Sequence, residues 1–278
     1  MKKIRYSQFA AMNMIYNKYS FGYFLDSMER LQIKNFELWT GAPHISPITE
    51  SLRVTGGVRR EVQKRGMHIV CVTPEQVMYP YNIAAPDRKL RDASLAYFRE
   101  NIHMTAELGA DKMLCCAGWG NYDEDPGEAW KRSVDGLWQM VETARKDGVM
   151  LAFEILNRTE SNLVYDFATT KKMMEAISDP LLGLCVDTVP VRLEGNTLED
   201  YFAEFGKRIC HVHLTDGDPM GHVPCGKGTH PVREHLKALE TYDYTGYITL
   251  EIGDTSESER PEEATAFGFA TVRNYVNQ

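Results

Sequence analysis

Short apolar runs carrying β-branched residues alternate along this chain with longer stretches in which apolar positions recur every three or four residues. The pattern predicts strands at residues 4–9, 35–40, 67–73, 112–117, 149–156, 182–187, 209–214 and 247–251. Between and after them it predicts helices at about 22–31, 49–64, 87–108, 126–146, 167–177, 197–205, 231–240 and 261–276. The punctuation agrees. Gly66, Gly109 and Gly148 stand just past three of the helices, and Pro126 stands in the first turn of another. Eight strand–helix units in a row predict a single (β/α)₈ TIM barrel spanning residues 1–278. A doubly wound open sheet is the alternative, but it needs fewer strands.

Four of the strands end on a side chain that binds metals or protons. These are Glu154, Asp187, His213 and Glu251, at the ends of the fifth, sixth, seventh and eighth strands. A charged group at the end of a buried strand is costly unless it is paired, hydrogen-bonded or bound to metal. In a barrel all four lie on the C-terminal face, where active sites are built. A lone strand-end acid is more often an ordinary ion-paired residue; four on neighbouring strands point to one shared site. Three carboxylates and one imidazole suit one divalent ion, Mn²⁺ first, with Mg²⁺, Co²⁺, Ni²⁺ or Zn²⁺ as other candidates. Residues two apart on a strand face the same way, so His211 is expected one layer below His213, and Cys185 below Asp187.

The loops on the same face offer further candidates. Glu160 lies six residues after Glu154. His44 follows Gly41-Ala42-Pro43, Tyr79 and Asn82 belong to Tyr79-Pro80-Tyr81-Asn82, and Trp119 sits between two glycines. The aromatic loops are as readily packing as the wall of a sugar pocket, Glu160 is as readily a solvated loop glutamate as a contact, and His44 is more often a surface histidine than a ligand-contacting one. The glycine-rich piece from His222 to Gly228 lacks the spacing of a phosphate loop.

Composition narrows the classes. The chain has 278 residues, a formal net charge of −8 and 43% hydrophobic residues. The acidic balance argues against a nucleic-acid partner, which needs neutralising Lys and Arg. The start lacks the apolar run of a signal peptide, and no window has the length of a membrane span, so a cytoplasmic protein with no membrane partner is expected. The six cysteines show no CxxC spacing and read as buried thiols.

The strings Phe36-Glu37-Leu38-Trp39, Gly41-Ala42-Pro43-His44, Thr73-Pro74-Glu75, Glu160-Ser161-Asn162, Val186-Asp187, His211-Val212-His213, Pro224-Cys225-Gly226-Lys227-Gly228 and Leu250-Glu251 give a resemblance over nearly the whole chain. The chain resembles the sugar isomerase/epimerase superfamily of xylose isomerase-like barrels, which also contains endonuclease IV. Within it the likeness leans toward ketose 3-epimerases and their fructoselysine-type branch. The resemblance implies that Glu154, Asp187, His213 and Glu251 bind one divalent ion, that Glu154 and Glu251 double as the catalytic acid/base pair, and that Glu160 contacts the sugar. It also implies a homo-oligomer, dimer or tetramer. Two departures matter. Free-ketose epimerases carry a His where this chain has Pro190, and an Arg in the loop where His222 is the nearest replacement. The expected substrate is therefore a substituted ketose such as fructoselysine or psicoselysine. A free-ketose epimerase, an aldose–ketose isomerase, an inosose-type dehydratase and an endonuclease IV-like phosphodiesterase remain as alternatives.

Overall fold

The computed structural model describes residues 3–47, 52–76 and 81–277. Eight parallel strands form one closed barrel in chain order, with β1 hydrogen-bonded to both β2 and β8. The strands are β1 (Phe9–Met12), β2 (Asn35–Thr40), β3 (His68–Pro74), β4 (Lys112–Cys115), β5 (Met150–Glu154), β6 (Leu182–Asp187), β7 (Ile209–Leu214) and β8 (Ile248–Leu250). The helices are α1 (Phe21–Arg30), α2 (Leu52–Lys64), α3 (Arg88–Leu108), α4 (Pro126–Asp147), α5 (Phe167–Ala176), α6 (Thr188–Leu193), α7 (Leu198–Phe205), α8 (Val232–Thr241) and α9 (Pro261–Val276). No helix among the described residues is long and apolar enough to cross a membrane.

On several strands, period-two alternation sorts residues between two cores. On β6, Leu184 and Val186 join the large core between strands and helices, while Cys185 belongs to a small cluster of strand residues with Ala10, Val70, Leu114 and Ala152. Asp187 continues the inward set two residues further on. Local chemistry closes the helices where the sequence indicates. Gly109 and Gly148 take left-handed conformations at the ends of α3 and α4, and Asp87, Asp125 and Asp166 accept backbone N–H groups at the starts of α3, α4 and α5.

Two elements differ from expectation. The first strand is displaced: residues 6–8 form a 3-10 turn and the strand is Phe9-Ala10-Ala11-Met12, a run without β-branched residues. A short helix, α6, follows β6 directly, because the Asp187 carboxylate accepts the Val189 N–H at 2.7 Å and starts it.

Candidate active site

The C-terminal ends of β5 to β8 bring the four expected ligands together. One ligand atom from each of Glu154, Asp187, His213 and Glu251 lies within 4.8 Å of the others. Nδ1 of His213 is 2.7 Å from Glu154 Oε1 and 2.9 Å from Glu251 Oε2. Yet Nδ1 of His213 and Oε2 of Glu251 are buried with no hydrogen-bond partner. A buried imidazole nitrogen and a carboxylate oxygen aimed at one point without bonding each other leave a position that a cation satisfies. The donor set is oxygen-rich with one nitrogen, the chemistry of a hard or borderline divalent ion. Two other groups have similar spacing, Glu37-Cys71-His211 and Glu154-Cys185-His213. Burial pushes the Cys71 and Cys185 thiols well up, so each is a poor metal ligand as it stands.

Crowding shows in the acid–base behaviour. Burial raises the Glu154 carboxyl; His213 opposes it and Glu251 and Asp187 add to it, leaving Glu154 at about 8. Burial also raises Asp187, but a hydrogen bond from His222 and the two imidazoles reverse the sign and hold it low. His222 reaches in from the loop after β7, its Nε2 3.3 Å from Asp187 Oδ2 and 3.7 Å from Glu251 Oε2. Burial would lower its ring, but Glu251, Asp187 and Glu160 raise it to about 10. Its position is built by backbone. The carbonyl of His222 accepts the N–H groups of Gly253 and Asp254, and Asp216 collects those of Gly226 and His230 to fold the loop.

Above the quartet lies a cavity of ≈ 300 Å³. Met12, Met14, Trp39, Leu114, Ile155 and Leu156 supply apolar wall, and Glu75, Gln76, Asn157 and Glu160 supply polar groups. Pro190 lines it where the departure from the free-ketose pattern was noted. Glu160 accepts from Asn157 Nδ2 at 2.6 Å, and burial raises its carboxyl.

The other loop candidates have different duties. His44 does not line the cavity: Nδ1 is 2.8 Å from Asn13 Nδ2, Nε2 is 2.9 Å from the Tyr19 carbonyl, and burial lowers its affinity for a proton. Asn82 is buried and staples two loops. Its Nδ2 donates to the Trp119 carbonyl, and its Oδ1 accepts the Trp119 and Ala84 N–H groups. Gly118 permits this, since a Cβ there would stand 2.3 Å from Asn82 Oδ1 and its φ is +70°. Trp119 lines a smaller neighbouring cavity of ≈ 180 Å³, with Arg158 and Glu160. Tyr79 lies outside the described residues.

Sequence reasoning assigned no role to Glu37. Its carboxylate is fully buried on β2 beneath the quartet and accepts from His211 Nε2 at 2.8 Å, His213 Nε2 at 3.2 Å and the Thr249 hydroxyl at 2.6 Å, with the Thr73 hydroxyl as a further donor. The signal was present: an acid in the apolar run Phe36-Glu37-Leu38-Trp39 is as costly to bury as one at a strand end.

The Xylose isomerase-like TIM barrel family matches residues 26–274, and the chain belongs to that family. Fructoselysine 3-epimerase of Shigella flexneri is 29% identical over 233 residues, covering 82% of this chain and 83% of the relative. D-psicose 3-epimerase of Agrobacterium fabrum is 23% identical over 237 residues, 83% of this chain and 78% of the relative. The structure of an L-ribulose 3-epimerase superposes with a TM-score of 0.80 at 18% identity, over 96% of this chain and 94% of the other, a likeness of fold. The chain is an enzyme of the isomerase class, a carbohydrate epimerase.

Proposed function

We propose that this chain is a divalent-metal-dependent 3-epimerase of a substituted ketose, of the fructoselysine or psicoselysine kind. The observation that carries the reading is the convergence of Glu154 and Glu251, from β5 and from the end of β8, on one buried nitrogen at the floor of one cavity. Epimerisation at C3 removes the proton α to the C2 ketone and returns one to the opposite face. Two carboxyl groups on different walls do this, one taking the proton while the other gives, with roles exchanged for the reverse direction. A divalent ion held by Glu154, Asp187, His213 and Glu251 supplies, when bound, Lewis-acid polarisation of the ketone and positive charge for the enediolate oxygen. Glu160 and His222 orient the sugar hydroxyls, and the apolar wall limits water around the sugar.

The charge of the lining bears on the substituent. Six carboxyl groups line the cavity, from Glu75, Glu154, Glu160, Asp187, Glu251 and Asp254, and they outnumber the positive charge of the His222 imidazole and of the one divalent ion the quartet would hold. No Lys or Arg lines it among the described residues. Such a field disfavours a phosphorylated ketose and suits one whose substituent carries an ammonium. The same lining is poorly suited to a nucleic-acid phosphodiester.

The test is deuterium incorporation from D₂O followed by NMR, on fructoselysine, free fructose and psicose, with Mn²⁺ supplied or chelated. Metal-dependent label at C3 of fructoselysine, with little on the free sugars, is expected. Label at C1 instead makes the chain an aldose–ketose isomerase, and no exchange on any ketose removes the substrate class.

A further inference from the structure

We propose that Glu37 is a positioning residue that sets the metal affinity of the site through the ring of His213. The inference rests on the metal-site reading above. Glu37 does not line the cavity and is not one of the four converging ligands. It lies inside the barrel, held by donors from three other strands: Thr73 on β3, His211 and His213 on β7, and Thr249 on β8. A carboxylate accepts hydrogen bonds and donates none, so the Nε2 atoms of both imidazoles must carry hydrogen to bond it. His213 then has one nitrogen committed downward, 3.2 Å from each Glu37 oxygen, and the other, Nδ1, aimed up at Glu154 and Glu251. The orientation and tautomer of this ligand are thus chosen from below.

His211 explains why the arrangement is rigid. Its ring stands nearly perpendicular to that of His213, at an interplanar angle of 84°, and its Nε2 is also 3.0 Å from the Thr249 hydroxyl. Two hydroxyls and two ring N–H groups surround Glu37, which fixes its two oxygens in the barrel. A buried carboxylate built in with this many donors has a use beyond packing, since an apolar side chain would fill the same volume without the desolvation cost.

Glu37→Gln keeps the shape and reverses one half of the bonding. An amide NH₂ facing Nε2 favours the tautomer with hydrogen on Nδ1, where the ion would sit. Titration of metal-stripped protein with Mn²⁺ by calorimetry should show one site in the wild type and a Kd roughly 10–100-fold weaker in Glu37→Gln. Glu37→Asp, which keeps the acceptor but shortens its reach, should recover part of that loss. A purely structural role would lower the melting temperature of stripped and Mn²⁺-loaded protein equally and leave Kd unchanged, and that result overturns the proposal. Should Glu37→Gln not fold, ¹⁵N-histidine NMR of the Mg²⁺-loaded wild type decides. Hydrogen on Nε2 of His213 is expected, and a bare Nε2 overturns the proposal. A wild type that binds no divalent ion removes the metal reading itself, an outcome distinct from a wild type that binds and a Glu37→Gln variant that binds equally well.

Discussion

Glu154 and Asn82 both have buried polar side chains, and only their partners separate a chemical role from a structural one. Glu154 leans on His213 inside the quartet and faces the cavity. Glu154→Gln should lower the rate of C3 proton exchange by roughly 10²–10⁴-fold, the usual size of a lost general base, while the protein remains folded by circular dichroism. Equal exchange in variant and wild type would transfer the base role elsewhere. Asn82 bonds three backbone groups of the loops after β3 and β4. Asn82→Ala strands those groups, and the expected cost is about 3 kcal/mol or more, since each unsatisfied buried group costs about 1–3 kcal/mol. Urea denaturation measures it; an unchanged midpoint would make the staple dispensable. The convergence of the four strand-end side chains was legible because their burial could be inferred from the apolar run before them. His44 and Asn82 were not, because a loop sequence shows a polar side chain without showing which backbone groups come to meet it.

At the scale of elements, the sequence signals worked where periodicity was long and capped. The starts and ends of α3 and α4 follow from aspartates and glycines that the structure uses as caps. The start of the barrel was harder: Phe9-Ala10-Ala11-Met12 has neither branched residues nor alternation, and its extended form comes from pairing with β2 and β8. Helix α8 carries a testable consequence of its own. His235 sits on its buried face with Nε2 unpartnered. Burial lowers its pKa, helped by His230 and Arg192, to about 4. The unfolded chain protonates this ring near 6.5, and the folded protein does not until about 4. Stability from this residue is therefore complete above pH 6.5 and declines as pH falls toward 4, by an amount on the order of 3 kcal/mol. Denaturation of wild type and His235→Gln at pH 7 and pH 4.5 isolates the effect. The variant should lose less stability on acidification than the wild type, and parallel losses would mean that the ring is hydrated.

For the whole molecule, the barrel's closure gathers three carboxylates and an imidazole that repel or neutralise one another until a cation arrives. Without the ion, burial and neighbouring charge leave Glu154 holding a proton up to about pH 8. Burial disfavours charge on His213 too, but the carboxylates of Glu37 and Glu251 hold its proton well above the usual imidazole range. An ion that takes both side chains as ligands must displace what they hold, so protons and metal compete. Apparent Mn²⁺ affinity should therefore rise with pH by roughly tenfold or more per unit between pH 6 and 8, and the dependence should weaken above pH 8 once Glu154 has lost its proton. Calorimetric titrations in two buffers of different ionisation heat count the protons directly: at least one released per ion at pH 6.5, fewer at pH 8.5. At a free Mn²⁺ concentration 100 times Kd, the loaded protein should gain about 2.7 kcal/mol of stability over the chelated form. Proton release of zero across this range would mean that Glu154 and His213 are not both ligands, and the ion would have to be held elsewhere on the barrel face.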